Sequence, residues 1–139
     1  MTNAVFRTCA SCGRAILEEG RLFTVEAAWD NASEHPSAME LESIFRSGRS
    51  LDGLATLNDR LGRYCARGKL PVPEELNHLR DELWELKGGK LRLAFYDAGQ
   101  QCGRRTLRAT HVFFKGTQRT PRKEIDRGLA IARIDAQVE

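Results

Sequence analysis

Residues 83–96 read Leu-Trp-Glu-Leu-Lys-Gly-Gly-Lys-Leu-Arg-Leu-Ala-Phe-Tyr, and this stretch decides the fold. Its second part has apolar residues at Leu91, Leu93 and Phe95, which is the two-residue period of a strand with one buried face. Its first part ends at Gly88-Gly89, and a two-residue glycine link is typical of a β-hairpin. We therefore predict two adjacent strands, over residues 82–87 and 90–96.

Downstream of the hairpin, the sequence indicates one more strand and a helix. We expect a loop over residues 97–105 and a third strand over residues 106–114. Pro121 is favourable as a first helical residue, so we predict a C-terminal helix from that point. The apolar face of this helix consists of Ile125, Leu129 and Ala132.

Upstream of the hairpin, residues 22–29 predict a strand and residues 39–46 a short helix. A longer helix is predicted over residues 50–68 because apolar residues recur at helical spacing, at Leu51, Leu54, Leu57, Leu61 and Tyr64. Pro73, which precedes two glutamates, favours the first turn of another short helix. Leucines continue at helical spacing as far as Leu86, but the glycine link favours a strand there.

These elements predict one α+β domain: an N-terminal strand and helices, a small antiparallel sheet, and a C-terminal helix. A chain of 139 residues with 41% hydrophobic residues suffices for one domain with a modest core. We assign the domain to residues 21–135 and interpret residues 1–20, which show no period, as a flexible N-terminal tail. The chain has no apolar secretory segment and no apolar run of membrane-spanning length, so we expect a cytoplasmic protein without a membrane partner.

The net charge of +3 conceals an uneven distribution along the chain. Residues 1–86 contain 10 Lys and Arg against 14 Asp and Glu, whereas residues 87–133 contain 12 against 3. The first segment therefore carries −4 and the second +9. A strongly basic segment favours a polyanionic partner, or else forms a solvated basic surface.

A series of short motifs runs through the C-terminal half. In order, these are Leu79-Arg80, Trp84-Glu85-Leu86-Lys87, Arg92-Leu93-Ala94-Phe95-Tyr96, His111-Val112-Phe113-Phe114-Lys115, Thr117-Gln118-Arg119-Thr120-Pro121 and Glu124-Ile125. In this order they resemble the RelE/ParE toxin superfamily, and in particular its HigB-like, phage-derived branch. The resemblance covers about residues 79–133. It departs from the branch at Gly116, where a second lysine is usual, at Lys87, where an arginine ends the strand, and at Gly128, where an alanine is usual.

The resemblance implies a type II toxin of the mRNA interferase kind, which cleaves mRNA on the translating ribosome without a cofactor. It also implies a partner, a helix-turn-helix antitoxin (HigA-like), that holds the toxin in check. A second possibility within the same fold is a ParE-like inhibitor that binds DNA gyrase and has no chemistry of its own. A third is an inactive relative that serves as a binding module.

RNA cleavage through the 2′-hydroxyl needs a base, an acid, and cations for the phosphorane charge. Arg92 lies mid-strand, opposite the apolar face, and its guanidinium matches phosphate oxygens. Lys115 ends a strand and precedes Gly116, which lets a ligand approach the backbone closely. Further phosphate-binding candidates are Lys87 and Lys90 around the hairpin turn and Arg119, Arg122 and Lys123 at the helix start. Solvated surface cations are the alternative interpretation.

The candidate proton carriers are His111 and Tyr96. An imidazole suits an acid or a base near neutral pH, but His111 alternates with Ala109 and Phe113, so a hydrogen-bonded core histidine is the alternative. Tyr96 shares the strand face of Arg92, and its alternative is a half-buried structural tyrosine. His78 precedes the strand pair and could reach either edge of it.

Cys9-Ala10-Ser11-Cys12-Gly13 has the spacing of half a zinc-binding motif. A structural zinc needs four ligands, and no second pair follows, since Cys65 and Cys102 are distant in the sequence. We therefore predict no metal and interpret the pair as reduced thiols in the tail. A zinc site and a redox pair are the alternatives.

Overall fold

The computed structural model describes residues 6–31, 34–116 and 119–138, which form a mixed α and β fold. Its strands are β1 (Arg7–Thr8), β2 (Ala15–Glu19), β3 (Thr24–Ala27), β4 (Leu76–Arg80), β5 (Leu83–Gly88), β6 (Leu91–Gln101) and β7 (Arg104–Phe114). Its helices are α1 (Pro36–Ser47), α2 (Leu51–Arg67) and α3 (Arg122–Asp135). The predicted α+β class is confirmed. None of these helices has both the length and the apolar character needed to cross a membrane.

The strands form one sheet in the order β1-β2-β3-β7-β6-β5-β4. Every neighbouring pair is antiparallel except β3 and β7, which run parallel from Thr24 opposite Thr106 to Ala27 opposite Ala109. The prediction of a small antiparallel sheet is therefore wrong in size and in pairing. Side-chain periodicity indicates which face of a strand is buried, but it does not identify the partner strand.

The predicted hairpin at the glycine link is confirmed, with Gly88 opposite Leu91 in the β5–β6 ladder. Helix α2 crosses this hairpin in direct contact, because a Cβ atom on Gly88 would lie 2.6 Å from the Gly53 carbonyl oxygen. Only glycine permits such an approach of two backbones. The predicted loop over residues 97–105 is wrong, because β6 and β7 continue through it to a turn at Cys102 and Gly103.

The short helix predicted at Pro73 is also wrong, since residues 72–75 form a turn and β4 follows. The helical leucine spacing misled the prediction because leucines three positions apart also fit a strand that is covered on both faces. Leu76 packs in the core beneath α2, whereas Leu79, three positions later, packs with the α3 cluster on the other face, as alternation along a strand requires.

The prediction of a flexible tail over residues 1–20 is wrong for its described part, residues 6–20. Strand β2 pairs with β3, and Ala15, Ile16 and Leu17 are each less than 9% exposed. A run of three buried residues in a strand has no alternation, because both faces of the sheet are covered here. Residues 1–5 lie outside the described residues.

The sheet separates two helical layers. Helices α1 and α2 cover one face, where the main core includes Leu41, Leu57 and Leu93. Helix α3 covers the other face, where Leu129 packs with Leu83, Ala94 and Phe113. The helices predicted near residues 39–46, 50–68 and 121 are confirmed, α2 ending at Gly68 and α3 starting after Pro121.

Candidate functional site

Part of the positive charge of the C-terminal half is neutralised across the fold. Arg104 and Arg108 contact the buried carboxylate of Glu26, at 3.1 and 3.2 Å, and Arg127 contacts Glu40 at 2.9 Å. Charges that are segregated in the sequence therefore meet as ion pairs in the structure. A broad basic face, as the charge count suggested, does not form from these arginines.

Six cations of that half form no ion pair with any carboxylate in the described residues: Lys87, Lys90, Arg92, Lys115, Arg122 and Lys123. They come from one end of the sheet and the adjoining start of α3, and we call this region the basic end. Lys87 lies directly opposite Arg92, and the Lys115 backbone N–H donates to the Lys90 carbonyl at 2.8 Å. The fold therefore brings together residues spread over 37 positions of the sequence, from 87 to 123.

An open groove of about 690 Å³ lies at the basic end, between β4, the end of β7 and the first turn of α3. Its polar lining consists of Asn77, His78, Lys115, Arg119, Thr120 and Arg122. Leu79 and Ile125 supply an apolar part of the wall. Three of the predicted phosphate-binding residues, Lys115, Arg119 and Arg122, thus line one groove, while Lys123 lies outside its lining. The motif residues Thr117 and Gln118 lie outside the described residues.

Arg92 lies half-buried beside this groove, on the α3 face of the sheet as its strand position predicted. Its Nη1 donates to the carbonyl oxygens of Gly89 and Leu91, at 2.7 and 2.8 Å, which holds the guanidinium against the hairpin turn. Its Nε is buried without a hydrogen-bond partner among the described atoms. Burial lowers the pKa of Arg92, so the charged guanidinium is only partly compensated and an anion would stabilise it.

Glu85 is the carboxylate whose charge acts on Arg92 and Lys115. It was not predicted from the sequence as a site residue. It is fully buried on the α3 face and accepts hydrogen bonds from Thr120 Oγ1 at 2.9 Å and Asn77 Nδ2 at 3.4 Å. These bonds tie the loop before α3 to β4 and β5, which fixes the walls of the groove. The available signal was an acid between the apolar residues Trp84 and Leu86, followed by Lys87 and Lys90.

Lys115 lies at the junction of the groove and the sheet. Burial, together with the positive charges of Arg92 and Lys87, lowers the pKa of its ammonium, and Glu85 only partly opposes this effect. Lys115 therefore gives up its proton more readily than an ordinary exposed lysine does.

His111 is placed as a core histidine and does not reach the groove. It is fully buried, its Nε2 lies 3.1 Å from Glu124 Oε1, and its Nδ1 lies 3.0 Å from Thr110 Oγ1. Because a carboxylate only accepts hydrogen bonds, Nε2 carries the proton and Nδ1 accepts from the threonine hydroxyl. Burial, reinforced by Arg127, lowers the pKa of His111 to about 3, so the ring is neutral at physiological pH.

Gly128 of α3 contacts this histidine. A Cβ atom there would lie 2.7 Å from Leu83 Cδ2 and 3.1 Å from His111 Cε1. The HigB-like sequences that this chain resembles usually have alanine at this position. Packing explains the glycine here, because it lets α3 lie closer to the sheet.

Tyr96 belongs to a separate cluster that we call the buried network, formed by Arg14, Glu26, Tyr96, Arg108 and Asp135. The tyrosine hydroxyl donates to Asp135 Oδ2, and burial raises the pKa of Tyr96 far above its ordinary value. Asp135 also contacts Arg14 at 2.7 Å and Arg108 at 3.3 Å. Tyr96 is thus a structural residue near the C-terminal end of α3, and the structure does not bring it together with Lys115 and the groove.

His78 is the histidine of the groove lining. Its Nε2 lies 2.7 Å from the Asp81 carbonyl oxygen, and its ring packs against Trp84 with centroids 4.9 Å apart. The carbonyl can only accept, so Nε2 carries the proton and Nδ1 is the acceptor nitrogen. An exposed imidazole with a fixed acceptor nitrogen can take a proton from a bound hydroxyl.

No protein-family model matches this chain, and no curated protein matches it in sequence. The resemblance described above therefore rests on its motifs.

Proposed function

We propose that this chain is the toxin of a type II toxin–antitoxin system and acts in the cytoplasm as a ribosome-dependent mRNA endoribonuclease. The observation that carries the proposal is the concentration of unpaired cations at the basic end, around an open groove. The other described arginines of the C-terminal half are used in ion pairs or line the same groove. Cations without carboxylate partners are available for the phosphates of a nucleic acid.

The groove residues suit cleavage through the 2′-hydroxyl. In that reaction the 2′-oxygen attacks the adjacent phosphorus as a base takes its proton, and the bond to the 5′-oxygen breaks as that oxygen gains a proton. The products are a 2′,3′-cyclic phosphate and a 5′-hydroxyl. We assign Arg92 to stabilisation of the negative charge on the phosphoryl group. His78 Nδ1 is the base. Lys115 is the acid, because the lowered pKa of its ammonium favours proton release.

A second candidate is an RNA-binding module that does not cleave. The observation that favours it is the complete burial of His111 and the burial of Tyr96, the two proton carriers that the sequence suggested. In this alternative the same cations bind RNA and His78 has no chemical role.

The deciding experiment is induced expression of the chain without a partner, followed by mapping of mRNA 5′ ends with translation running and with translation blocked. We expect growth arrest and breaks only inside translated reading frames. RNA binding with intact mRNA would establish the second candidate, and equal cleavage of naked RNA would remove the ribosome from the proposal. DNA breaks with intact mRNA would point to gyrase instead.

Arg92→Ala and Arg49→Ala form a matched pair for this experiment. Both remove one arginine, but Arg49 is exposed in the connection between α1 and α2, away from the groove. We expect Arg92→Ala to abolish toxicity at equal soluble expression and Arg49→Ala to retain it. Full toxicity of Arg92→Ala would exclude Arg92 from the site.

The proposed partner is a helix-turn-helix antitoxin encoded beside the toxin. We propose that it docks on the acidic half, residues 1–86, and blocks ribosome entry sterically. Association led by charge slows steeply as salt rises, whereas steric docking does not. Association rates of the neighbouring gene product at low and high salt test this: strong salt dependence contradicts steric docking, and no binding contradicts the toxin–antitoxin assignment.

A further inference from the structure

Three cysteines from distant parts of the sequence meet beside the turn of the β6–β7 hairpin. The sulfur atoms of Cys9, Cys12 and Cys102 all lie within 4.8 Å of one another. Cys9 and Cys12 belong to the β1–β2 connection, and Cys102 belongs to the β6–β7 turn. Cys102 was not expected near Cys9 and Cys12, because it is distant from them in the sequence.

The backbone around the cysteines has the form of a ligand-holding turn. The Gly13 N–H donates to the Cys9 carbonyl at 2.8 Å, the Cys9 N–H donates to the Arg14 carbonyl at 2.8 Å, and Gly13 has φ +78°. These bonds close the Cys-x-x-Cys-Gly loop. Cys102 has φ +52°, a left-handed conformation that is unfavourable for a residue other than glycine. Both turns therefore hold their thiols in place before any ion binds.

We propose that Cys9, Cys12 and Cys102 bind a zinc ion, which fastens the N-terminal strands to the β6–β7 turn. Thiolates are soft ligands that select zinc, and a tetrahedral zinc with bonds of about 2.3 Å separates its sulfurs by about 3.8 Å. The three sulfurs therefore need to approach by at most about 1 Å. Glu26 Oε2 lies 4.0 Å from Cys12 Sγ but is held by Arg104, so a water molecule takes the fourth position, on the exposed side next to Cys102.

Arg104 supplies the charge balance that such a site needs. Three thiolates and one Zn²⁺ carry a net charge of −1. The Nη2 of Arg104 lies 3.4 Å from Cys9 Sγ and 3.1 Å from Glu26 Oε2, so its guanidinium contacts both the sulfur and the neighbouring carboxylate. A cation beside a sulfur ligand stabilises the anionic complex, as groups around metal ligands commonly do.

The first test is metal content. The full chain is purified with a tag that binds no metal, under reducing conditions, and its zinc is counted by elemental mass spectrometry. We expect one zinc per chain, and tetrahedral thiolate absorption bands when Co²⁺ replaces it. Cys102→Ser should lose the zinc and the bands. Cys65→Ala is the matched control, because Cys65 lies on the buried face of α2 outside the cluster, and it should keep both.

The second test keeps the proposal falsifiable if Cys102→Ser fails to fold. Alkylation of the native chain, mapped by mass spectrometry with and without a chelator, should show zinc protecting Cys9, Cys12 and Cys102. Absence of zinc with reactive thiols, a Cys9–Cys12 disulfide, or zinc retained in folded Cys102→Ser would each overturn the three-cysteine site. The outcome is independent of RNA cleavage, because the cysteines and the basic end lie at opposite ends of 11-residue strands, roughly 30 Å apart.

Discussion

The basic end and the buried network lie near opposite ends of α3 and use the same kinds of residue differently. In the buried network Asp135 contacts two arginines, Arg14 and Arg108, and also accepts a hydrogen bond from the Trp29 backbone N–H at 2.8 Å. At the basic end Arg92 and Lys115 form no ion pair within the described residues. The presence of a carboxylate partner, and not residue type or charge count, therefore separates a structural cation from one that is available to a ligand.

The buried network should respond most strongly to mutation. Asp135→Asn removes one carboxylate charge and leaves Arg14 and Arg108 buried with less compensation. Breaking a buried pair in this way costs about 3–5 kcal/mol, which we expect as the loss in free energy of unfolding. Urea denaturation measures it, with exposed Arg122→Ala as a control that should change stability by less than about 0.5 kcal/mol. Equal losses of stability in the two variants would show that Asp135 is no more important to the fold than an exposed residue.

The burial of His111 predicts a pH dependence of stability. The unfolded chain binds a proton at this histidine below its ordinary pKa of about 6.5, whereas the folded state, with a pKa of about 3, does not. The contribution of His111 is therefore fully present above pH 6.5 and is lost as the pH falls. We expect a loss of about 2 kcal/mol between pH 6.5 and about pH 5.

The control for this measurement is His111→Gln, which has no titrating group. The free energy of unfolding of this variant should fall less steeply as the pH is lowered over the same range, because the His111 contribution is missing. Its absolute value at pH 7 does not matter for the test. If both proteins show the same slope, His111 is accessible to protons in the folded state, and its role as a proton carrier would return to consideration.

Arg92→Ala should reduce the free energy of unfolding only slightly, although it should abolish toxicity. Because its guanidinium donates to two carbonyl oxygens of the hairpin turn, Arg92→Ala should cost about 1 kcal/mol, more than an ordinary surface change. The toxicity assay and a urea titration on the same variant compare the two effects. A stability loss above about 3 kcal/mol would place Arg92 with the structural arginines instead.

The smallest expected effect separates two neighbours in the first turn of α3. Arg122 lines the groove and Lys123 does not, although both are exposed. With a single-stranded RNA oligonucleotide, Arg122→Ala should reduce the slope of log affinity against log salt by about 0.7, the value for one phosphate contact. Lys123→Ala should leave the slope nearly unchanged. Fluorescence anisotropy over a salt series measures the slope for each variant. Equal slopes for the two variants would show that RNA does not follow the groove.

Local sequence signals predicted local elements well. Helix α2, the β5–β6 hairpin and the start of α3 follow from helical spacing, the glycine link and Pro121, which all act within a few residues. The β3–β7 pairing has no short-range signature, because it joins residues 82 positions apart. Strand β4 was missed because leucines three positions apart fit a helix as well as a strand that is covered on both faces.

The residues of the candidate site were likewise predicted where local signals sufficed and missed where distant contacts decide. Arg92, Lys115, Arg119 and Arg122 were predicted from strand position and from the basic helix start, and the fold places them at one end. Glu85 was missed because its hydrogen bonds come from β4 and from the loop before α3, which only the folded chain brings to it. The assignment of Cys9 and Cys12 to a tail failed for a related reason, since β6 and β7 carry Cys102 to them.

The position of β7 also governs the order in which the chain can fold. This strand lies between β3 and β6, and its parallel partner β3 is 82 positions earlier, from Thr24 to Thr106. During synthesis, a chain that ends before residue 104 has two separate sheet fragments with open edges and no strand to join them. Closing so long a loop is slow, and unpaired edges promote aggregation. Assembly of the whole sheet is therefore a late event, completed only after β7 has left the ribosome.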